Sequence, residues 1–184
     1  MIYLDNAATT SMRREAYEKM LPYFIDYYEN PSGAYESAVN VHNAMEESRE
    51  NIASLIGATK DEIVFTSGGT EADNYAIKGC AFMYKDKGRH IITTKIEHHA
   101  VLNSCGFLEE NGYDITYLDV DEYGVVKLDR LEDAIRPDTI LISVMMANNE
   151  IGTIQPIEEI GAIAKKRGVL FHTDAVQACG HIPI

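Results

Sequence analysis

Short β-type runs that alternate with helix-length stretches constrain this chain more than any other feature. The runs are residues 63–66, 90–94, 114–118, 139–146 and 169–173. Between them, apolar residues recur at helical spacing. Ala72, Ala76 and Met83 share one face, and Val101, Leu102, Cys105 and Leu108 the next, stopped by Gly112. Leu128, Leu131 and Ile135 form a short helix ended by Pro137, and Ile157, Ile160 and Ala164 lead up to Gly168. Strands alternating with helices predict an α/β fold, a mostly parallel sheet with helices on both faces. The run at 139–146 is the most apolar and reads as a central strand. Ahead of the alternation, Tyr17, Leu21, Phe24 and Tyr28 lie at helical spacing with Pro22 inside the pattern, so that helix starts late or bends. Asn30-Pro31-Ser32-Gly33 breaks the chain, and Val41, Met45, Ser48, Ile52 and Leu55 mark a second helix face closed by Gly57. The tyrosines between Tyr17 and Tyr35 suit packing or an oligomer surface.

Composition narrows the classes. A chain of 184 residues, 46% apolar and 24% charged, is long enough to bury a core without staples and too apolar for disorder. Its 16 basic and 29 acidic residues give a net charge of −13, the wrong sign for a nucleic-acid groove. No apolar run approaches the roughly 20 residues of a membrane span, and the first residues lack the basic and apolar regions of a signal peptide. Cys80, Cys105 and Cys179 form no Cys-x-x-Cys pair, so neither a disulfide framework nor a metal site is indicated. They read as small core residues, and the chain as soluble, reduced and cytoplasmic.

Ligands of open α/β sheets bind beyond the carboxyl ends of the strands. The loops expected at that rim are unusual: Ser67-Gly68-Gly69-Thr70-Glu71, Lys95-Ile-Glu-His-His-Ala100, Ala147-Asn-Asn-Glu-Ile-Gly152 and Asp174-Ala-Val-Gln177. Ser67 to Thr70 reads either as a phosphate cup at a helix start or as a glycine turn with a hydroxyl cap. There is no Gly-Lys-Ser/Thr P-loop and no Gly-x-Gly-x-x-Gly, which disfavours a nucleoside triphosphate or a dinucleotide. Asp174, just past an apolar strand, calls for a partner: a protonated ring nitrogen, or the N–H groups of a helix it caps. His98 and His99 open a helix, where one imidazole can stack on a flat group or move a proton, or both serve as ordinary polar residues. Asn148 and Asn149 are either ligand contacts or an Asx turn. Glu150 is the candidate for orienting their loop, and His172 reads as an inner-face strand residue.

In order along the chain, Tyr3-Leu-Asp-Asn-Ala-Ala-Thr-Thr10, Asn30-Pro-Ser32, Phe65-Thr-Ser-Gly-Gly-Thr-Glu-Ala-Asp-Asn74, Glu97-His98, Asn148-Asn-Glu-Ile-Gly152 and His172-Thr-Asp-Ala-Val-Gln177 resemble the cysteine desulfurases of the class V aminotransferase group, within the fold type I pyridoxal-phosphate enzymes. The branch is that of iron–sulfur assembly and nitrogen fixation. The resemblance implies an N-terminal segment over residues 1–12 and, over 13–184, an incomplete pyridoxal-phosphate-binding large domain. It implies that Gly69 and Thr70 hold the cofactor phosphate and that His98 stacks on the pyridine ring and helps to move protons. Asp174 would pair with the ring nitrogen, and Gln177 and Asn149 would contact the region of the phenolic oxygen. The family reaction turns cysteine into alanine and passes sulfur on as a persulfide. Homo-oligomers and an iron–sulfur scaffold partner are implied with it.

Departures from the pattern matter equally. None of the nine lysines stands in the Ser-x-His-Lys setting of the Schiff-base lysine, and Lys165 and Lys166 precede Asp174. The persulfide cysteine and the carboxylate-binding arginine belong to a later part of the family's chain. Gly33-Ala34-Tyr35 stands where relatives carry Ser-x-His. The expectation is a chain that holds the cofactor site without running the reaction. A phosphate-ligand or interaction module, and one half of a split enzyme, are the alternatives. The run at 63–66 would also lack its usual neighbours, predicting a rearranged sheet or a contact with another chain there.

Overall fold

The structure is a computed structural model and describes residues 2–183. The chain divides into two compact units, Met1–Phe65 and Thr66–Ile184.

The first unit is helical. Helix α1 (Arg14–Met20) runs into α2 (Pro22–Ile25), whose first residue is the proline. A proline there lacks only an N–H that a helix start leaves unpaired anyway. Helix α3 (Glu36–Leu55) ends near Gly57, at φ 67°. A short 3₁₀ turn, Lys60–Glu62, follows and is closed by a capping box between Thr59 and Glu62. The expected apolar face of α3 is not a buried stripe. Ala38, Val41 and Ala53 are buried, while Met45, Ile52 and Leu55 are exposed. Residues 63–66 form no strand. The backbone at Ile63 is extended, but its carbonyl accepts from the guanidinium of Arg49 at 2.6 Å, and Arg49 also covers the Phe65 ring. A β-type run without a hydrogen-bonding neighbour stays an extended segment.

The second unit is an α/β layer structure. Strands β1 (His90–Thr94), β2 (Asp114–Leu118), β3 (Thr139–Ser143) and β4 (Leu170–His172) form one parallel sheet in the order β2-β1-β3-β4. Helices α4 (Gly69–Tyr84), α5 (His99–Glu110), α6 (Leu128–Ala134) and α7 (Ile157–Arg167) are interleaved with them. Alternate strand residues feed two cores, as the twofold period of a strand requires. Ile91, Ile115 and Leu141 pack with Ile77 and Ala81 of α4 and with Val101, Cys105 and Leu108 of α5. Ile92, Ile142 and Leu118 pack with Leu131 of α6 and with Ile160 and Ala164 of α7. A register shift between His90 and Ile91 leaves Ile140 as an extra residue on β3, and Ile140 and Leu141 both join the first core. Gly168 ends α7 in the left-handed conformation that its φ of 69° requires.

Two further sequence expectations need correcting. The buried face of α4 is Asp73, Ile77 and Ala81, whereas Met83 is 78% exposed. The last apolar run pairs only over Leu170–His172. No helix among the described residues is long and apolar enough to cross a membrane.

The two apolar runs should respond differently to truncation. Ile142→Ala, at a fully buried site in β3, should cost about 2–5 kcal/mol in a denaturant titration. Val64→Ala, in the unpaired segment and 62% exposed, should cost less than about 0.5 kcal/mol. Comparable losses would contradict the sheet described here.

Candidate functional site

The start of α4 is an anion-favouring surface. Gly68 caps the helix with a nearly extended backbone (φ 159°, ψ 178°) and no side-chain cap. Gly69 and Thr70, the first two helical residues, therefore keep the unpaired N–H groups and positive dipole end of a helix start. The neighbouring carboxylate of Glu71 accepts from both N and Oγ of Ser67 at 2.6 Å, and those bonds hold it below the usual carboxylate range. Thr70 is exposed, and its carbonyl accepts from Nδ2 of Asn74. Gly69 lies tight against the loop that follows β4: a Cβ there would stand 2.6 Å from Cγ2 of Val176. Glycine at this position is a close-approach residue.

Asp174 lies in that loop and is buried. Its Oδ1 accepts from the backbone N–H of Val176 at 2.9 Å. It thus caps a turn, not a helix. Its backbone carbonyl accepts from the N–H of Met146, which ties the exits of β3 and β4 together. Asp174 forms no ion pair among the described residues, so the buried carboxylate is open to a cation. Gln177 is partly buried in the same turn.

His98 is the N-cap of α5. Its Nδ1 accepts from the N–H of Ala100 at 3.1 Å, and its ring is exposed, edge-on to His99. The two asparagines divide their labour. Asn148 is buried and structural: Nδ2 donates to the carbonyl of Ile96, while Oδ1 accepts from the N–H groups of Glu150 and Ile151. Asn149 is partly buried, and its amide makes no side-chain hydrogen bond among the described residues. Asn148, not the exposed Glu150, therefore organises this loop. Lys95, Glu97, His98 and Asn149 line a cavity of about 270 Å³. This donor set suits a ligand that carries an anion, a flat ring and a protonated ring nitrogen.

Beneath these loops lies a group that sequence reasoning missed. Asp73 of α4 and Glu97 are buried with Asp174. His172 of β4 exchanges a hydrogen bond with Oγ of Ser143 at 2.8 Å, and its Nε2 stands 3.6 Å from Oδ1 of Asp73. Burial lowers the His172 pKa, partly opposed by Asp174, so the ring is neutral at pH 7 and compensates neither acid. Burial, with help from the Asp174 charge, pushes Asp73 up to about 6. Glu97 rises to about 7, again chiefly by burial, against the pull of its bonds from Thr94 and Met145. A sequence signal existed for Asp73: it stands four residues before Ile77 and eight before Ala81, on the core-facing side of the helix. The cysteines are not uniformly core residues either. Cys105 is buried and its thiol is pushed up to about 12, burial raises that of Cys80, and Cys179 is exposed.

The Glu97 shift has a definite sign. The folded chain binds this proton more tightly than the unfolded chain, whose value is 4.5. Its contribution is fully present below pH 4.5 and is lost as pH rises through about 7. Between pH 5 and pH 8 the Glu97→Gln variant should therefore gain roughly 2–3 kcal/mol relative to the parent chain. Thermal unfolding at both pH values checks this, and parallel pH dependences for the two proteins would contradict it.

Residues 2–184 match the family described as Aminotransferase class-V. The chain is 58% identical to the cysteine desulfurase IscS of Methanosarcina thermophila, over all of this chain and 45% of that protein. A solved NifS-like protein superposes with a TM-score of 0.96 at 42% identity, over 100% of this chain and 51% of that one. A structure of SspA in complex with cysteine superposes with a TM-score of 0.93 at 46% identity, over 97% of this chain and 51% of that one. The chain spans about half the length of the relatives it matches. Enzymes of this family depend on pyridoxal 5′-phosphate, and the fold described above is theirs: the chain belongs to the class V aminotransferase family.

Proposed function

We propose that this chain supplies the cofactor-holding part of a cysteine desulfurase and does not by itself complete the reaction. The observation that carries this reading is Asp174, a buried carboxylate with no ion-pair partner among the described residues, set beside a free helix start. That donor set fits pyridoxal phosphate. Gly69 and Thr70 hold the phosphate by backbone N–H groups, with the hydroxyl of Thr70 exposed alongside. Asp174 accepts from the ring nitrogen, its carboxylate oriented by the Val176 N–H. His98 covers the ring face, and Gln177 and Asn149 address the phenolic oxygen region. Pyridoxal phosphate, when bound, supplies a protonated ring that withdraws electrons from bonds at the amine-bearing carbon of the substrate.

The chain's own proton carrier is His98. Because Nδ1 accepts from the Ala100 N–H, the neutral ring carries its proton on Nε2. Nε2 is therefore the atom that gives or takes a proton on the open side. The Schiff-base step lacks its lysine among these residues. No lysine stands in the Schiff-base setting, and the raised thiols of Cys105 and Cys80 carry little thiolate. The substrate of the complete enzyme is cysteine, and its product sulfur goes as persulfide to an iron–sulfur scaffold protein in the cytoplasm. Exposed Phe24, Ile25 and Leu55 of the first unit support a homo-oligomer.

Titration with pyridoxal phosphate, followed by circular dichroism at the ligand's absorption band, tests the site. The parent chain should give a saturable induced signal, and Asp174→Asn should weaken it by about tenfold or more. Incubation with cysteine and cofactor should release neither alanine nor sulfide. Sustained turnover by this chain alone would refute the second half of the proposal.

A further inference from the structure

Glu97 does something the reading above leaves unexplained. It is 5% exposed, and Oε1 accepts from Oγ1 of Thr94 at 2.7 Å and from the backbone N–H of Met145 at 3.0 Å. Thr94 is the last residue of β1, and Met145 follows the end of β3. One oxygen thus joins two strand exits. Its other oxygen, Oε2, is buried without a hydrogen-bond partner. A second strap lies beside the first, from Nδ2 of Asn148 to the carbonyl of Ile96. Together they tie Ile96 and Glu97 to the segment after β3.

A buried, half-satisfied carboxyl is an expensive way to fill space, and an apolar side chain of that length costs less. What a methyl group lacks is direction. His98 is the next residue and the N-cap of α5 (φ −61°, ψ 151°), so the direction in which its side chain leaves depends on where the Glu97 backbone is held. The same loop lines the cavity shared by His98 and Asn149.

We propose that Glu97 is a positioning residue, whose bridge from Thr94 to Met145 sets the direction in which the His98 imidazole meets its ligand. The proposal rests on the cofactor reading for the identity of that ligand, but the positioning itself does not. The titratable groups around Glu97 are Asp174 at the exit of β4, Asp73 on α4 and Cys105 on α5, with Lys95 and His98 in its own loop. None of them is a cation paired with it.

The Ala100 N–H donates to Nδ1 of His98, so its hydrogen exchange reports how firmly the ring is held. Glu97→Leu removes the oxygen that accepts both bonds and should speed Ala100 exchange by about tenfold or more. Glu97→Gln keeps an oxygen for Thr94 and Met145, puts an amide nitrogen at the unpaired position, and should stay within about threefold of the parent chain. Thr94→Val removes one strand of the bridge without touching the loop and should fall between, which keeps the test open if the leucine variant does not fold. Rescue by glutamine separates direction from charge. Ala100 exchange in both Glu97→Leu and Thr94→Val within about threefold of the parent chain would overturn the proposal, as would glutamine behaving like leucine. Pyridoxal phosphate titrated into the same proteins should give an induced circular dichroism that weakens with the leucine change and recovers with glutamine. A parent chain that gives no induced signal defeats the cofactor reading and leaves the exchange result standing.

Discussion

The parallel pairing of β1 and β3 at the middle of the sheet is the constraint on which the rest depends. Parallel strands end on the same side, so everything that follows them is gathered at one rim. Here the gathering continues past the strands. The N–H groups of Val144 and Met146 reach the carbonyls of His172 and Asp174, and the N–H of Lys95 reaches that of Leu118. Each loop therefore starts from a backbone already fixed by its neighbour. Two apolar cores clamp the sheet from either face, and neither has to reach the rim to stiffen it. Loops on such a support can carry polar side chains whose directions matter.

That rim is electrostatically one-sided. Asp73, Glu97 and Asp174 are buried within one another's influence, and His172, the imidazole that stands against Asp73, has its pKa lowered by its own burial. With a net charge of −13, the rest of the chain offers no relief at long range. Two of the acids respond by keeping their protons to unusually high pH. A cation placed at Asp174 would offset its charge and so ease the ionisation of both neighbours.

Much of this was legible in the sequence where the information is local. The strands at His90–Thr94 and Asp114–Leu118 coincide with their apolar runs, and α7 stops where Gly168 allows the left-handed turn. What escaped was non-local or concealed by chemistry. Residues 63–66 have the composition of a strand, but pairing is a property of the neighbour, and Arg49 takes the carbonyl of Ile63 instead. Helix α4 was read one residue out of phase because its core-facing position holds an aspartate, which no count of apolar residues selects. At the site, the rim loops announced themselves by residue type: His98, Asn149, Asp174 and Gln177 all lie on them. Their internal organisation did not. Glu150 looked like the orienting group of its loop, yet the buried amide of Asn148 makes the bonds.

Glu97 shares a lesson with Asn148. Each is a polar residue at a position where packing alone would take an apolar one, and each is tied to an element distant in sequence. Burial makes such bonds directional and costly to break, since a lost partner leaves a desolvated group behind. An apolar replacement relieves the charge but gives up the angle. For a loop that only had to be covered, relief would win. On the positioning proposed for Glu97, His98 follows it directly and takes its direction from that anchor, so the angle is worth more than the charge costs.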